Sequence, residues 1–157
     1  MHPATLASQV IAAAISELQA KAFPLFTFAL YFDHESEALE VCADTEENSN
    51  RTVASINSYN AKYFHQYLHA GDLSMAKLWQ ANAGRSLSLG DFALVNVARV
   101  ATPGVEQSEE FFIFLAQALA AHEAPILALS PSPSKVAFAC SGVSEEVALV
   151  WSAKGDA

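Results

Sequence analysis

The strongest constraint on the fold is an apolar stretch that passes directly into an acidic one. Residues 25–32 read LFTFALYF, and apart from Thr27 every side chain is apolar or aromatic. Because polar residues do not alternate through this stretch, it predicts a strand buried on both faces at the centre of a sheet. A polar turn follows, and residues 38–42 then alternate, with Glu40 on the outer side. Two strands with a short polar link predict a β-hairpin, whose second strand we expect at a sheet edge.

Three longer segments have the apolar spacing of amphipathic helices. They are residues 5–22, 50–69 and 106–122. Asp44 and Glu47 have the spacing of a capping box before the second helix, and Gly71 is typical of its end. The spacing predicts that the second helix packs through one inner face, made by Val53, Ile56, Asn60, Tyr63, Phe64 and Tyr67.

The remaining elements are shorter. Residues 91–102 alternate like a strand, and further strand candidates are residues 126–129, 136–140 and 147–151, although the last could instead be helical. Residues 73–89 have no clear assignment beyond a short helix near Met75. The order is not a regular βαβ alternation, so the sequence predicts one α+β domain over residues 1–157. It would have a mainly antiparallel central sheet and about three helices packed on it.

The negative charge is concentrated in one region. The net charge is −9, and residues 33–47 hold seven carboxylates and no Lys or Arg, whereas the other 142 residues hold ten acids and eight bases. The basic residues are scattered singly, which argues against nucleic acid and anionic membranes as partners. The sequence has no membrane-span or signal-peptide pattern, and Cys42 and Cys140 are expected as buried free thiols. These features predict a cytoplasmic protein.

Few residue patterns point to chemistry. His65 and His69 stand at i, i+4 and are weak candidates for metal ligands, although histidines also suit a helix C-terminus. The segment 33–35, Asp-His-Glu, could be an acid–base pair, but a solvated turn is the preferred interpretation. The segment 44–47 could hold a cation, but it lacks the glycine of a calcium loop, and helix capping is preferred. No catalytic residue, metal site or cofactor is predicted.

Two phrases carry a family resemblance. Residues 27–33, TFALYFD, precede residues 43–47, ADTEE. This F-A-L-Y-x-D and (N/D)-T-E-E signature resembles a family of small uncharacterised bacterial cytosolic proteins, some of which are suspected to be immunity proteins against secreted toxins. The resemblance covers about the first third of the chain and implies a small bacterial protein, without any catalytic residues to transfer.

Three functional hypotheses remain open. The first is a non-enzymatic protein-binding module whose acidic surface at residues 33–47 meets a basic protein partner. The second is an enzyme, or a small-molecule or metal-binding protein, with a carboxylate and histidine pocket. The third is a homodimer in which the acidic residues only keep an apolar-rich chain in solution. The first hypothesis is preferred, and it predicts these partner-binding residues: Asp33, Glu35, Glu37, Asp44, Glu46 and Glu47.

Overall fold

The computed structural model describes residues 1–154 as an α+β fold, as predicted. Ten α-helices and β-strands follow one another along the described residues. They are α1 (Pro3–Ala20), β1 (Thr27–Asp33), β2 (Ala38–Asp44), α2 (Glu46–His69), α3 (Leu73–Leu78), β3 (Leu94–Ala101), α4 (Glu109–Ala121), α5 (Glu123–Leu127), β4 (Ala137–Cys140) and β5 (Leu149–Ser152).

All five strands form one sheet in the order β3-β2-β1-β4-β5. The predicted central strand is confirmed, because β1 lies in the middle and is buried over most of its length. It pairs antiparallel with β2, as the hairpin prediction requires, and parallel with β4. The β2–β3 and β4–β5 pairs are also antiparallel. The sheet is therefore mixed, with antiparallel pairing in three of its four neighbouring pairs.

The main core lies between one face of the sheet and the two helices α1 and α4. The strands contribute alternate side chains to this core, and each helix contributes one apolar stripe. Burying each such large side chain stabilises the fold by about 1.5–3 kcal/mol. The largest completely buried members are Phe28, Phe32, Phe138, Ile11, Leu18, Leu25, Leu30, Leu39, Leu115, Leu119, Ile126 and Val41.

The other face of the sheet is covered by chain segments without long helices. Leu89 and Phe92 pack on Ala29 and Cys42 there, with Val147 from the β4–β5 connection alongside. The strand β2 is interior because it pairs with β1 on one side and β3 on the other. The prediction that it forms an exposed edge is therefore wrong. Its polar residue Glu40 is only 8% exposed, and the carboxylate pairs with Arg99 of β3.

Other boundaries differ from the predictions for local reasons. The strand predicted at residues 126–129 is wrong, because α5 occupies Glu123–Leu127 with Pro125 in its first turn, where a helix tolerates proline. The helical alternative for residues 147–151 is also wrong, since β5 forms there. The predicted capping box is wrong too. Thr45 caps α2, and its Oγ1 accepts a hydrogen bond from the Asn48 amide at 3.1 Å.

Candidate interaction surfaces

The β1–β2 hairpin divides the predicted acidic surface into two parts. Asp33, Glu35 and Glu37 lie at the turn, whereas Asp44 is paired with Thr27 at the other end of the two strands. A seven-residue strand is about 20 Å long, so these groups stand about that far apart. The structure thus brings the six predicted partner-binding residues together as two sets of three, the second being Asp44, Glu46 and Glu47.

Asp44 is completely buried and joins three elements of the fold. Its Oδ1 accepts hydrogen bonds from the Thr45 amide at 3.0 Å, the Asn48 side-chain amide at 2.8 Å and the Ala93 amide at 3.0 Å. Its Oδ2 is buried and has no hydrogen-bond partner among residues 1–154. This carboxylate holds β2, α2 and the approach to β3 together, and a protein partner does not reach it.

Basic groups balance part of the charge at this end of the sheet. Glu46 forms an ion pair with Lys135 at 3.4 Å. Arg85 donates hydrogen bonds to the Phe26 carbonyl at 2.7 Å, Thr27 Oγ1 at 2.9 Å and the Lys135 carbonyl at 2.5 Å. Burial lowers the pKa of the Arg85 guanidinium, and the carboxylates of Glu46 and Asp44 oppose that effect. Of the second set of three, Glu47 alone is both exposed and without an ion pair among the described residues.

The sheet topology gathers a larger acidic surface at the opposite end, which we call the acidic end. There β1, β3 and β4 finish and β2 and β5 begin, so three connections meet: residues 33–37, 102–110 and 141–148. These connections contain no Lys or Arg. They contain eight carboxylates, namely Asp33, Glu35, Glu37, Glu106, Glu109, Glu110, Glu145 and Glu146. Sequence reasoning missed the last five, because only the strand order brings such distant segments to one end.

Specific contacts hold the three connections of the acidic end together. His34 Nε2 donates to the Gly142 carbonyl at 3.1 Å, and its ring stacks on Phe112 of α4 with centroids 5.8 Å apart. The Gly104 amide donates to Glu37 Oε2 at 2.8 Å, which joins the hairpin turn to the β3–α4 connection. Ser36 Oγ donates to the Asp33 carboxylate at 2.5 Å and lowers its pKa. These contacts hold the surface in shape, and His34 links the hairpin turn to residues 141–148 and to α4.

Most carboxylates of the acidic end have no cationic partner. Within residues 1–154 the ion pairs that involve acids use Glu17, Glu40 and Glu46, all outside this surface. The unpaired carboxylates also affect Tyr31. Burial is the main cause that raises the pKa of Tyr31, and the negative charges of Asp33 and Glu146 raise it further. Val143 and Leu149 are exposed among these acids. The surface thus combines unpaired negative charge with a small apolar area.

A second surface is formed by residues 50–82, which we call the arm and which comprise most of α2, all of α3 and the segment after it. The helix α2 has 24 residues, which makes it about 36 Å long, and Ser49 is its single buried residue. Of the six side chains of the predicted inner face, five are half-buried and Ile56 is exposed, so this face is partly covered but does not enter the core. Only α3 and the segment after it pack beside the arm's long helix, so one amphipathic face is left partly uncovered.

Aromatic side chains organise the arm. The Tyr63 and Trp79 rings stack with centroids 4.5 Å apart, and Tyr59 lies 5.3 Å from Tyr63. A cavity of about 450 Å³ opens beside Phe64, His65 and Trp79. The Trp79 indole nitrogen is buried and has no hydrogen-bond partner within the described range. Several large apolar side chains of the arm are between 39% and 70% exposed: Ile56, Tyr59, Leu68, Leu73 and Leu78.

The metal candidates His65 and His69 also lie on the arm. Their rings stack with centroids 6.1 Å apart, and both are exposed. No group of three or more His, Cys, Asp or Glu side chains in residues 1–154 is placed to hold a metal ion. His69 lies in the last turn of α2, where a histidine side chain can interact favourably with the negative end of the helix dipole.

Both cysteines are buried free thiols, as predicted. Burial raises the pKa of the Cys42 thiol, and it raises the pKa of Cys140 to about 12. Both groups are consequently protonated at neutral pH. Since the thiolate is the reactive form, neither is prepared to act as a nucleophile.

Comparison with known proteins adds no assignment to this geometry. Among residues 1–154, no helix has both the length and the apolar character that crossing a membrane requires. No family model, no curated protein and no solved structure matches the chain. The resemblance of residues 27–33 and 43–47 to small bacterial proteins therefore stays a prediction.

Proposed function

We propose that the chain is a protein-binding module and that the arm is its main binding element. The observation that carries this proposal is the uncovered face of α2 and α3. Helices of globular proteins owe most of their stability to packing of an apolar face, and α2 leaves Ile56 and Tyr59, which stand at i, i+3 on one side, exposed. Contiguous exposed apolar side chains on a folded chain mark protein-interaction sites. A helix of this kind is suited to lie in a groove of its partner.

The acidic end supports a second binding surface, one that takes a basic surface of a protein partner. This proposal keeps Asp33, Glu35 and Glu37 from the sequence prediction and adds the carboxylates of two other connections. Exposed charges of one sign raise association rates and reject partners of the same sign more than they add affinity. Binding here should therefore weaken strongly as the salt concentration rises.

A pocket enzyme is supported less well by the same residues. Acid–base catalysis requires an acid and a base that reach one substrate. His34, the histidine of the predicted acid–base segment, donates to a backbone carbonyl, and Asp44 is enclosed by three hydrogen bonds. The positions of these groups support a structural use for each.

Site-specific photo-crosslinking tests the arm as a binding element. The photoreactive amino acid p-benzoylphenylalanine would replace Tyr59 or Leu78, which are 60% and 70% exposed. A matched control would carry it at Gln9, which is exposed on α1 and belongs to neither surface. We expect discrete protein adducts in cells from the two arm positions and none from Gln9.

The same crosslinking experiment can also refute the role of the arm. Adducts of the same identity and yield from all three positions, or none from Tyr59 and Leu78, would contradict the proposed role of the arm. A triple variant, Tyr59→Ser, Leu73→Ser and Leu78→Ser, should lose the partner while keeping its circular dichroism spectrum, because these side chains are exposed.

A further inference from the structure

We propose that the arm of one copy docks on the acidic end of a second copy of the same chain. This inference rests on the proposed function, because it names the partner of the arm. It follows from the distribution of charge, from the exposed apolar side chains and from the ends of the sheet at which the two surfaces lie.

The first step is charge complementarity within one sequence. The arm contains Arg51, Lys62, Lys77 and one acid, Asp72, so its charge is +2, and the rest of the chain is then −11. None of the three basic side chains forms an ion pair within residues 1–154. At the acidic end it is the carboxylates that form no ion pair within residues 1–154. The molecule therefore displays both halves of a complementary charged interface, with neither half paired in the chain itself.

The second step is the match of apolar side chains. Val143 and Leu149 are exposed at the acidic end, and Tyr59, Leu73 and Leu78 are exposed on the arm. Protein interfaces commonly have an apolar centre with a polar and charged rim. The carboxylates would form that rim around the two apolar residues of the acidic end, facing the lysines of the arm.

The contact is between copies because the arm and the acidic end of one chain lie at opposite ends of the sheet. The arm begins beyond Asp44, at the end of the sheet opposite to the hairpin turn. Its base is tied there, since Ser49 Oγ, directly before the arm in α2, accepts a hydrogen bond from the Ser86 amide at 2.9 Å. Within the arm, the Asn57 side-chain amide donates to the Asn82 carbonyl at 2.9 Å and the Asn82 backbone amide donates to Asn57 Oδ1 at 2.8 Å. The arm forms no hydrogen bond or ion pair with its own acidic end in the described residues, so a second copy supplies that surface.

Two such contacts, exchanged reciprocally, give a closed dimer with twofold symmetry. Each copy then contributes one arm and one acidic end. Direct packing of one arm on the other would instead bring together two segments of charge +2. The charge distribution therefore favours the exchange of unlike surfaces.

Charge-swap variants test this arrangement by sedimentation equilibrium at low salt. The arm variant is Lys62→Glu with Lys77→Glu, and the end variant is Glu35→Lys with Glu146→Lys. The wild type is expected to dimerise, and each variant alone should raise the dissociation constant by about tenfold or more. An equimolar mixture of the two variants should regain the affinity, and so should one chain with all four changes, because both restore unlike charges at the contacts.

The controls separate folding from binding. All four side chains are exposed, so every variant should keep the wild-type circular dichroism spectrum and melting temperature. Three outcomes would overturn the proposal: a monomeric wild type at all concentrations, an end variant that dimerises like the wild type, or a fourfold variant that stays weak. A monomeric wild type whose Tyr59 still forms adducts with a different protein would refute the second copy as partner and leave the binding role of the arm intact. A monomeric wild type whose Tyr59 forms no adducts would refute both the dimer and the binding role of the arm.

Discussion

The buried carboxylate of Asp44 gives the most specific prediction about the base of the arm. Replacing it with alanine removes the acceptor of three hydrogen bonds and leaves the Thr45 amide, the Ala93 amide and the Asn48 side chain without their partner. Each buried donor left unsatisfied costs about 1–3 kcal/mol. Because Thr45 and Asn48 are partly accessible to water and Ala93 is exposed, the low end of that range applies to all three. The expected loss is about 3 kcal/mol of the free energy of unfolding, a large share of the roughly 5–15 kcal/mol of a typical domain.

Asparagine at the same position should behave differently. Asp44→Asn keeps an oxygen that can accept the same three hydrogen bonds. The atom it replaces, Oδ2, is buried and unpaired within the described residues, so no hydrogen bond is broken there. The variant loses the attraction between this carboxylate and Arg85, but it also removes a buried charge with an unsatisfied oxygen, which is costly. The two effects oppose each other, but the new amide nitrogen also brings hydrogen-bond donors to a place that offers no partner, so we expect a loss of about 1–2 kcal/mol, smaller than that of Asp44→Ala.

Equilibrium unfolding in urea measures both variants on one scale. The midpoints should differ while the denaturant slope stays constant, which confirms that the folded states bury similar surface. Glu47→Ala is the matched control, because Glu47 is an exposed acid three positions along the chain, and it should change stability by less than about 1 kcal/mol. Equal losses for Asp44→Ala and Asp44→Asn would show that the charge, rather than the three hydrogen bonds, carries the effect, and would refute the reasoning.

Three further predictions concern other parts of the fold. Cys42 and Cys140 should react with a disulfide reagent at neutral pH only as fast as the protein unfolds, because burial raises both pKa values; rapid native-state labelling would contradict this. Gly142→Ala should lower the urea midpoint by an amount equivalent to about 1–3 kcal/mol, since its Cβ would stand 2.5 Å from that of Ala148; an unchanged midpoint would show that the connection yields easily. Asp33 has a folded-state pKa below its unfolded value of 3.8, so its contribution to stability is present above that pH and lost as the pH falls through the folded pKa. In Asp33→Asn the free energy of unfolding should therefore fall less steeply at acidic pH than in the wild type. The same pH dependence in both proteins would contradict this.

The sequence predicts the centre of this fold well because the centre depends on local pattern. The apolar run at residues 25–32, which contains only Thr27 as a polar residue, can only be a buried strand or a buried helix, and its aromatic content and short length favour the strand. The polar turn after it then fixes the antiparallel partner β2. The first and last long helices also follow from their apolar stripes, with ends shifted by one to three residues.

The predictions that failed depend on neighbours that the local pattern does not specify. The apolar residues 126–129 suit either a short strand or a buried turn of helix, and the start of α5 at Glu123 decides for the helix. Glu40 looks like an outward residue of an edge strand, yet β3 pairs alongside and its Arg99 neutralises the carboxylate. The acidic end is the largest such case, since five of its eight carboxylates come from connections that only the strand order brings together.

The uncovered arm has the same origin, and it connects the fold to the proposed function. The spacing of Tyr59, Tyr63 and Phe64 correctly indicates that they share one side of a helix, but spacing does not say what covers that side. One face of the sheet is already occupied by α1 and α4, and the centre of the other by the segment that carries Leu89 and Phe92. The sheet therefore has no large apolar surface left for α2. We propose that this helix, which has no place on its own sheet, buries its apolar face against another protein molecule, and that the lysines beside that face favour an acidic surface as its partner.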